Sequence, residues 1–203
     1  MIVIVDYGLG NLTSIKNMVK KIGGEAQVSS DPEAILNADK LILPGVGNFL
    51  RGMENLKKSG LIPILEKVAL EIKKPVLGIC LGMQLMTNHS EEGNINGLGW
   101  IDAETFKFTF SYDSSLKIPH MGWTPVHFLK TSLINHEIPD NPRYYFVHSY
   151  YVKCNSVKNS LAQANYGHPF DCAIVNDNII GVQFHPEKSH KYGMELFRNF
   201  NEI

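Results

Sequence analysis

The sequence predicts a single α/β domain: a mixed, mostly parallel central sheet flanked by helices, with an antiparallel, β-rich second half. Three observations lead there. In the first half, short runs that are apolar throughout alternate with helical patterns, the signature of parallel strands covered on both faces. From Trp100 to Gln183 the chain is rich in β-branched and aromatic residues broken by turn signals. No internal repeat, low-complexity tract or linker interrupts the 203 residues, so residues 1–203 read as one domain.

The elements follow in order. Ile2 to Val5 is a buried strand. Asn11 can cap a helix in which Leu12, Ile15, Val19 and Ile22 recur at helical spacing, ending at Gly23-Gly24. Ala26 to Ser29 is a second strand, and Asp31-Pro32-Glu33 opens a short helix with proline at its first position. Lys40 to Pro44 is a third strand. Helical segments near 48–58 and 61–73 come next, then Val76 to Ile79 as a fourth strand. In the second half, 117–128, 144–153 and 173–184 are the clearest strands, with a hairpin turn at Asn176-Asp177-Asn178. A last helix near 190–201 carries Met194, Phe197 and Phe200 at three-residue spacing.

Composition narrows the function. Hydrophobic residues make up 44% of the chain and the net charge is −1 with no basic stripe, which speaks against disorder and against a nucleic-acid partner. The apolar start stops at Asp6 and reads as a strand, not a signal peptide, and no apolar run is long enough to span a bilayer. The three cysteines, Cys80, Cys154 and Cys172, form no CxxC pair. A disulfide framework, a zinc site or a metal cofactor is therefore not expected, and a reducing cytoplasm is the natural compartment.

One stretch carries chemistry. Gly78-Ile79-Cys80-Leu81-Gly82 has the form G-x-C-x-G between a strand and a helix, where the serine version makes a nucleophile elbow. A turn this sharp strains the central residue, and glycines on both sides remove the collisions that side chains would cause. The thiol would sit at a helix start, which favours thiolate, and the Leu81 amide would point where an oxyanion forms. On the pentapeptide alone, a small buried cysteine at a strand end fits as well.

A thiol nucleophile needs a base, and the chain has eight histidines. His89, His127, His136 and His168 stand in loop-like or polar contexts and read as solvated, while His120 and His190 have no catalytic partner in their local pattern. His185, in Val182-Gln183-Phe184-His185-Pro186-Glu187, follows an apolar strand and lies two residues from a carboxylate. Residues i and i+2 of an extended chain share a face, so Glu187 can hold the ring while its other nitrogen meets a thiol. An exposed strand-end His-Pro-Glu is the plainer alternative. His148, in Phe146-Val147-His148-Ser149-Tyr150, has no nearby carboxylate and suits ligand contact or a half-buried strand position. Pro44-Gly45-Val46-Gly47-Asn48 is a glycine loop without the Gly-Lys-Ser/Thr of a phosphate loop, and Gly8-Leu9-Gly10 lacks the third glycine of a dinucleotide fingerprint.

Taken together, P-G-V-G, G-I-C-L-G-M-Q, V-H-S-Y and Q-F-H-P-E-K-S resemble the motifs of class I (triad) glutamine amidotransferases. The likeness spans the chain, from I-V-D-Y-G-L-G-N through K-I-P-H-M-G-W to the H-P-E-K-S ending. More narrowly, the chain is similar to the glutaminase subunits of imidazole glycerol phosphate synthase. The resemblance implies a flavodoxin-like sheet and a triad of Cys80, His185 and Glu187. It implies oxyanion donors from Leu81 and the Gly45-Val46-Gly47 loop, and L-glutamine contacts at Gln84, His148, Ser149 and Tyr150. It implies a heterodimer with a (β/α)₈ cyclase that receives ammonia, with Tyr145 and Lys188 near the interface. Two departures bear on the partner: Thr124 stands where asparagine is usual after Gly-Trp, and the 189–194 tail resembles a branch that serves a sugar amidotransferase of surface-polysaccharide synthesis. A cysteine peptidase or esterase, and a non-catalytic binding module, are the rival classes. The glycine loop and Gln84 speak against the first, and the full Cys80, His185 and Glu187 set against the second.

Overall fold

A computed structural model of the chain describes residues 1–111 and 115–203. Its first half alternates strand and helix: β1 (Ile2–Val5), α1 (Leu12–Lys21), β2 (Ala26–Ser29), α2 (Pro32–Asn37), β3 (Lys40–Gly45), α3 (Phe49–Ser59), α4 (Ile62–Glu66), β4 (Val76–Cys80) and α5 (Leu81–Leu85). Helix α4 runs on as a π-helical turn, Lys67–Glu71. The second half is mostly strand: β5 (His89–Ser90), β6 (Ile95–Asn96), β7 (Ala103–Lys107), β8 (His120–Pro125), β9 (His127–Phe128), β10 (Arg143–His148), β11 (Tyr150–Cys154), β12 (Ser160–Tyr166), β13 (His168–Asn176) and β14 (Ile179–Val182). Helix α6 (His190–Glu202) ends the chain.

One sheet runs β2-β1-β3-β4-β14-β13-β11-β7-β5-β6, with β12 and β9 branching from β13. The pairs from β2 through β14 are parallel; beyond β14 the ladder is antiparallel except for β5 with β7. A chain reversal at Asp177-Asn178, with Asp177 at φ 49°, joins β13 to β14 where the sequence predicts a hairpin. Strands β8 and β10 form a separate two-stranded sheet.

The central strands are buried on both sides, as their unbroken apolar runs require: β1 and β4 are buried at every position. One core layer gathers Ile15 and Val19 of α1 with Leu196, Phe197 and Phe200 of α6. The other gathers Phe49, Met53 and Leu56 of α3 with Leu65 and Val68. Each such side chain, fully buried, contributes about 1.5–3 kcal/mol.

Local signals differ in small ways from the expectation. Asn11 occupies the N-cap of α1 but its side chain makes no capping bond, whereas Asp31 accepts from Glu33 N in α2 and Asn48 from Arg51 N in α3. The predicted strand 144–153 breaks at Ser149, because β10 pairs with β8 while β11 pairs with β7 and β13. The predicted strand 117–128 likewise splits: Pro125, which has no N–H to donate, closes β8, and β9 turns to pair with β12.

The elbow is built into this sheet. Cys80 ends β4 at φ 55°, ψ −110°, a conformation rare for a residue with a side chain. A Cβ on Gly82 would lie 1.8 Å from the Leu43 carbonyl oxygen, and one on Gly78 would press into Met86 at 2.8 Å. The flanking glycines are thus required by contact. Gly82→Ala should therefore cost at least about 3 kcal/mol of stability, the upper part of the usual overpacking range, because backbone and not a movable side chain opposes it. A denaturant midpoint within error of the parent protein would contradict this.

Candidate active site

Sheet register brings the site together. Gly45 at the end of β3 is in register with Cys80 at the end of β4, and Val182 of β14 with Ile79 on the other side. The loop that follows β3 and the turn that follows β14 therefore flank the thiol. Gly45 is packed so closely that a Cβ would meet Leu81, the Tyr7 hydroxyl and the Gly82 amide at 2.7–2.9 Å. Val46 is exposed and Gly47 has φ +120°. Leu81 opens α5, so its amide is among those a helix leaves unpaired.

From Pro186 to Lys188 the chain forms a short 3₁₀ turn. His185 and Glu187 are buried there, and His185 Nδ1 lies 2.8 Å from Glu187 Oε1. Backbone and serine bonds hold the turn to β10: His185 N–H donates to Tyr145 O at 2.9 Å, Tyr145 N–H to Ser189 Oγ at 3.0 Å, and the Ser189 hydroxyl back to His185 O at 2.6 Å. His185 Nε2 is buried without a conventional partner. Burial alone would lower the pKa of the ring. The Cys80 sulfur and the Glu187 carboxylate outweigh it and raise the pKa to about 10.

The cleft beside Cys80 has a volume of about 270 Å³, just below the roughly 300–1,000 Å³ of small-molecule sites. Val46, Gly47, Leu81, Gln84, Glu92, Pro119, His148, Ser149 and Tyr150 line it. A groove of about 340 Å³ between Lys153, Cys154 and Asp171 does not border Cys80.

The polar hydrogens of two lining residues are already used. His148 Nδ1 bonds the Tyr150 carbonyl at 2.7 Å and its Nε2 lies 2.8 Å from His120 Nδ1, whose Nε2 meets the Thr124 hydroxyl at 2.8 Å. A carbonyl only accepts, so His148 Nδ1 carries its proton and Nε2 accepts from His120; Thr124 then donates to His120. Burial lowers the pKa of His148 to about 3 and that of His120 to about 4, keeping the pair neutral. Gln84 spends both amide hydrogens, on Tyr150 O at 3.1 Å and Gln183 Oε1 at 2.9 Å, so only its carbonyl oxygen is left for a ligand.

Sequence reasoning missed Glu92, Gln183, Ser189 and His120. Glu92 reaches the site by accepting from Phe49 N at 2.7 Å, and nothing in its loop context signals that. The local pattern of His120 offers no catalytic partner, and its hydrogen-bond partner His148 lies 28 residues away. His168, expected to be solvated, is half-buried, 4.7 Å from the Tyr151 ring centre. Tyr145 and exposed Lys188 lie together, the ammonium 5.8 Å from the ring, beside the exposed Trp123, which stacks on His190 at 5.4 Å. Among the described residues, no group of three or more His, Cys, Asp or Glu is placed to hold a metal, and no helix is long and apolar enough to cross a membrane.

The fold places the chain in the class of glutamine amidotransferase-type α/β proteins. It superposes on a solved glutamine amidotransferase with a TM-score of 0.75 over 99% of each chain at 16% identity. A second superposition, on PurLQS from Thermotoga maritima, gives a TM-score of 0.76 over 98% of this chain and 96% of that one at 17% identity. More particularly, the chain belongs to the glutamine amidotransferase class-I family, whose model matches residues 3–203. It is 56% identical over 200 residues to imidazole glycerol phosphate synthase subunit HisH 2 of Methanococcus maripaludis, covering 98% of both chains. It is 48% identical to HisH 2 of Pseudomonas aeruginosa over the whole of both chains.

Proposed function

We propose that the chain is the glutaminase subunit of an imidazole glycerol phosphate synthase. In this reading it hydrolyses L-glutamine to glutamate and ammonia through a Cys80 thioester, in the cytoplasm, without metal or cofactor. The observation that carries it is the buried His185–Glu187 pair beside a cysteine held at positive φ on a strand-to-helix elbow. The names of the relatives support the choice of glutamine chemistry and of the synthase.

The Cys80 sulfur attacks the side-chain amide carbon, and the C–N bond breaks as imidazolium His185 gives its proton to the departing ammonia. Water then attacks the thioester carbon, giving one proton to His185 and its oxygen to the new carboxyl group; the C–S bond breaks, glutamate leaves, and Cys80 returns as thiolate beside imidazolium His185. Glu187 holds His185 in the tautomer that presents Nε2. The Leu81 amide and the 45–47 loop stabilise the oxyanion. The Glu92 carboxylate suits the substrate ammonium, and the backbone of Ser149 and Tyr150, with the Gln84 carbonyl, fixes the rest of the amino acid.

The partner is a (β/α)₈ cyclase. Exposed Ile118, Met121 and Trp123 on and before β8, flanked by Tyr145 and Lys188, supply an apolar surface with a basic rim for it. The chain alone should hydrolyse glutamine slowly, and adding the cyclase with its substrate should raise glutamate release at least tenfold. An equal rate with and without it would argue against the assignment. A second reading keeps the chemistry and changes the acceptor to a sugar amidotransferase. The 189–194 tail, which resembles that branch, favours it. Stimulation by that partner alone would select it.

A further inference from the structure

We propose that Gln183 is a further catalytic residue whose side-chain amide donates a hydrogen bond to the Cys80 sulfur and stabilises it as thiolate. The inference rests on the reading of Cys80 as nucleophile. Gln183 is fully buried in the stretch between β14 and His185, and its Nε2 lies 3.7 Å from Cys80 Sγ, within reach of a hydrogen bond to sulfur.

The direction of that amide follows from its neighbours. The Tyr150 carbonyl can only accept, and it faces Gln84 and His148. Gln84 must therefore turn its NH₂ group toward Tyr150, and the same NH₂ group lies 2.9 Å from Gln183. The Gln183 atom in that contact has to accept, so it is Oε1. Its NH₂ group is left pointing at the sulfur. The amide is thus locked as a donor toward Cys80 by a chain that begins at a main-chain oxygen.

A donor fixed on a buried sulfur favours the charged form, since a bond to an ionised acceptor is stronger than one to a neutral one. Gln84 acts through Gln183 and is a positioning residue for the thiol as well as a wall of the cleft.

The test is the pH dependence of Cys80 alkylation by iodoacetamide, followed by mass spectrometry of the Cys80 peptide. Gln183→Met keeps length and removes the donor. Gln183→Asn keeps an amide but draws it out of reach. Both variants should raise the alkylation midpoint by about one pH unit, so that alkylation runs about tenfold slower below it. An unchanged midpoint in either variant, with the parent's thermal transition retained, overturns the proposal. Should neither variant fold, Gln84→Leu frees the Gln183 amide to rotate: a raised midpoint supports the proposal and an unchanged one overturns it. A failure of the nucleophile reading shows separately, as glutamine turnover that survives loss of the Cys80 thiol.

Discussion

Replacing Cys80 by alanine is expected to lower partner-stimulated glutamine hydrolysis by roughly 10⁴-fold or more, the scale on which loss of a nucleophile acts when binding and the oxyanion site remain. The fold should tolerate the change, since the positive φ costs alanine about what it costs cysteine. The other two thiols supply the control. Cys172 is wholly buried, and burial raises its pKa well above the ordinary thiol value. Cys154, on β11, is raised the same way by burial and then by Asp171. Neither borders the cleft beside Cys80. Cys154→Ala and Cys172→Ser should leave the glutaminase rate within about twofold, Cys172→Ser at some cost in stability from the buried hydroxyl. The measurement is glutamate release by the complex at saturating glutamine. Comparable losses in all three variants would mean that the rate reports folding and not a nucleophile.

The parts legible in the sequence are those where one local rule acts alone. The run Val76 to Ile79 is apolar at every position, and a strand covered on both faces is the structure it finds. Pro32 after Asp31 starts a helix because ring geometry and the capping carboxylate agree. The elbow was legible for the same reason: two glycines around one cysteine reflect close contacts, with the Leu43 carbonyl at 1.8 Å for Gly82 and with Met86 at 2.8 Å for Gly78. Strand β12, by contrast, reads Ser-Leu-Ala-Gln-Ala-Asn-Tyr and has no β-branched residue; it is a strand because β13 lies beside it, with two register shifts along the pair. The break at Ser149 was invisible because pairing partners, not local propensity, divide β10 from β11.

Within the site the same division holds. His185 and Glu187 are two residues apart, so their pairing could be read from strand periodicity. The partners of Gln84 lie 66 and 99 residues away, and those of His148 include one 28 residues away. Side chains expected to face a ligand turn out to spend their hydrogens on the Tyr150 carbonyl and on Gln183, which one-dimensional spacing cannot reveal. The resemblance implies that Gln84 and His148 contact substrate, and both line the cleft beside Cys80, but it does not show which of their atoms face it.

The acid–base pair yields the sharper result. His185→Asn should cost about 10⁴-fold in kcat/KM, with glutamine affinity little changed, because in the proposed mechanism the ring carries the proton in both half-reactions. Glu187→Gln should cost roughly 10²–10⁴-fold, since an amide can still orient the ring but no longer supplies charge. The two differ in their pH profiles. In the parent protein the sulfur and the carboxylate hold the imidazolium to about pH 10 against the opposing effect of burial. The form able to protonate ammonia thus persists across neutrality, and activity should fall only on the alkaline side. Removing the Glu187 charge lets burial count for more, so the alkaline limb should move to lower pH. Stability follows the same sign. Protonation is favoured in the folded state, so its contribution is fully present below the unfolded histidine value near 6.5 and is lost as pH rises through about 10. Glu187→Gln should flatten this alkaline loss, measured as the change in denaturant midpoint between pH 6 and pH 10. An alkaline activity limb that stays in place in Glu187→Gln would mean that the carboxylate serves only to orient the ring.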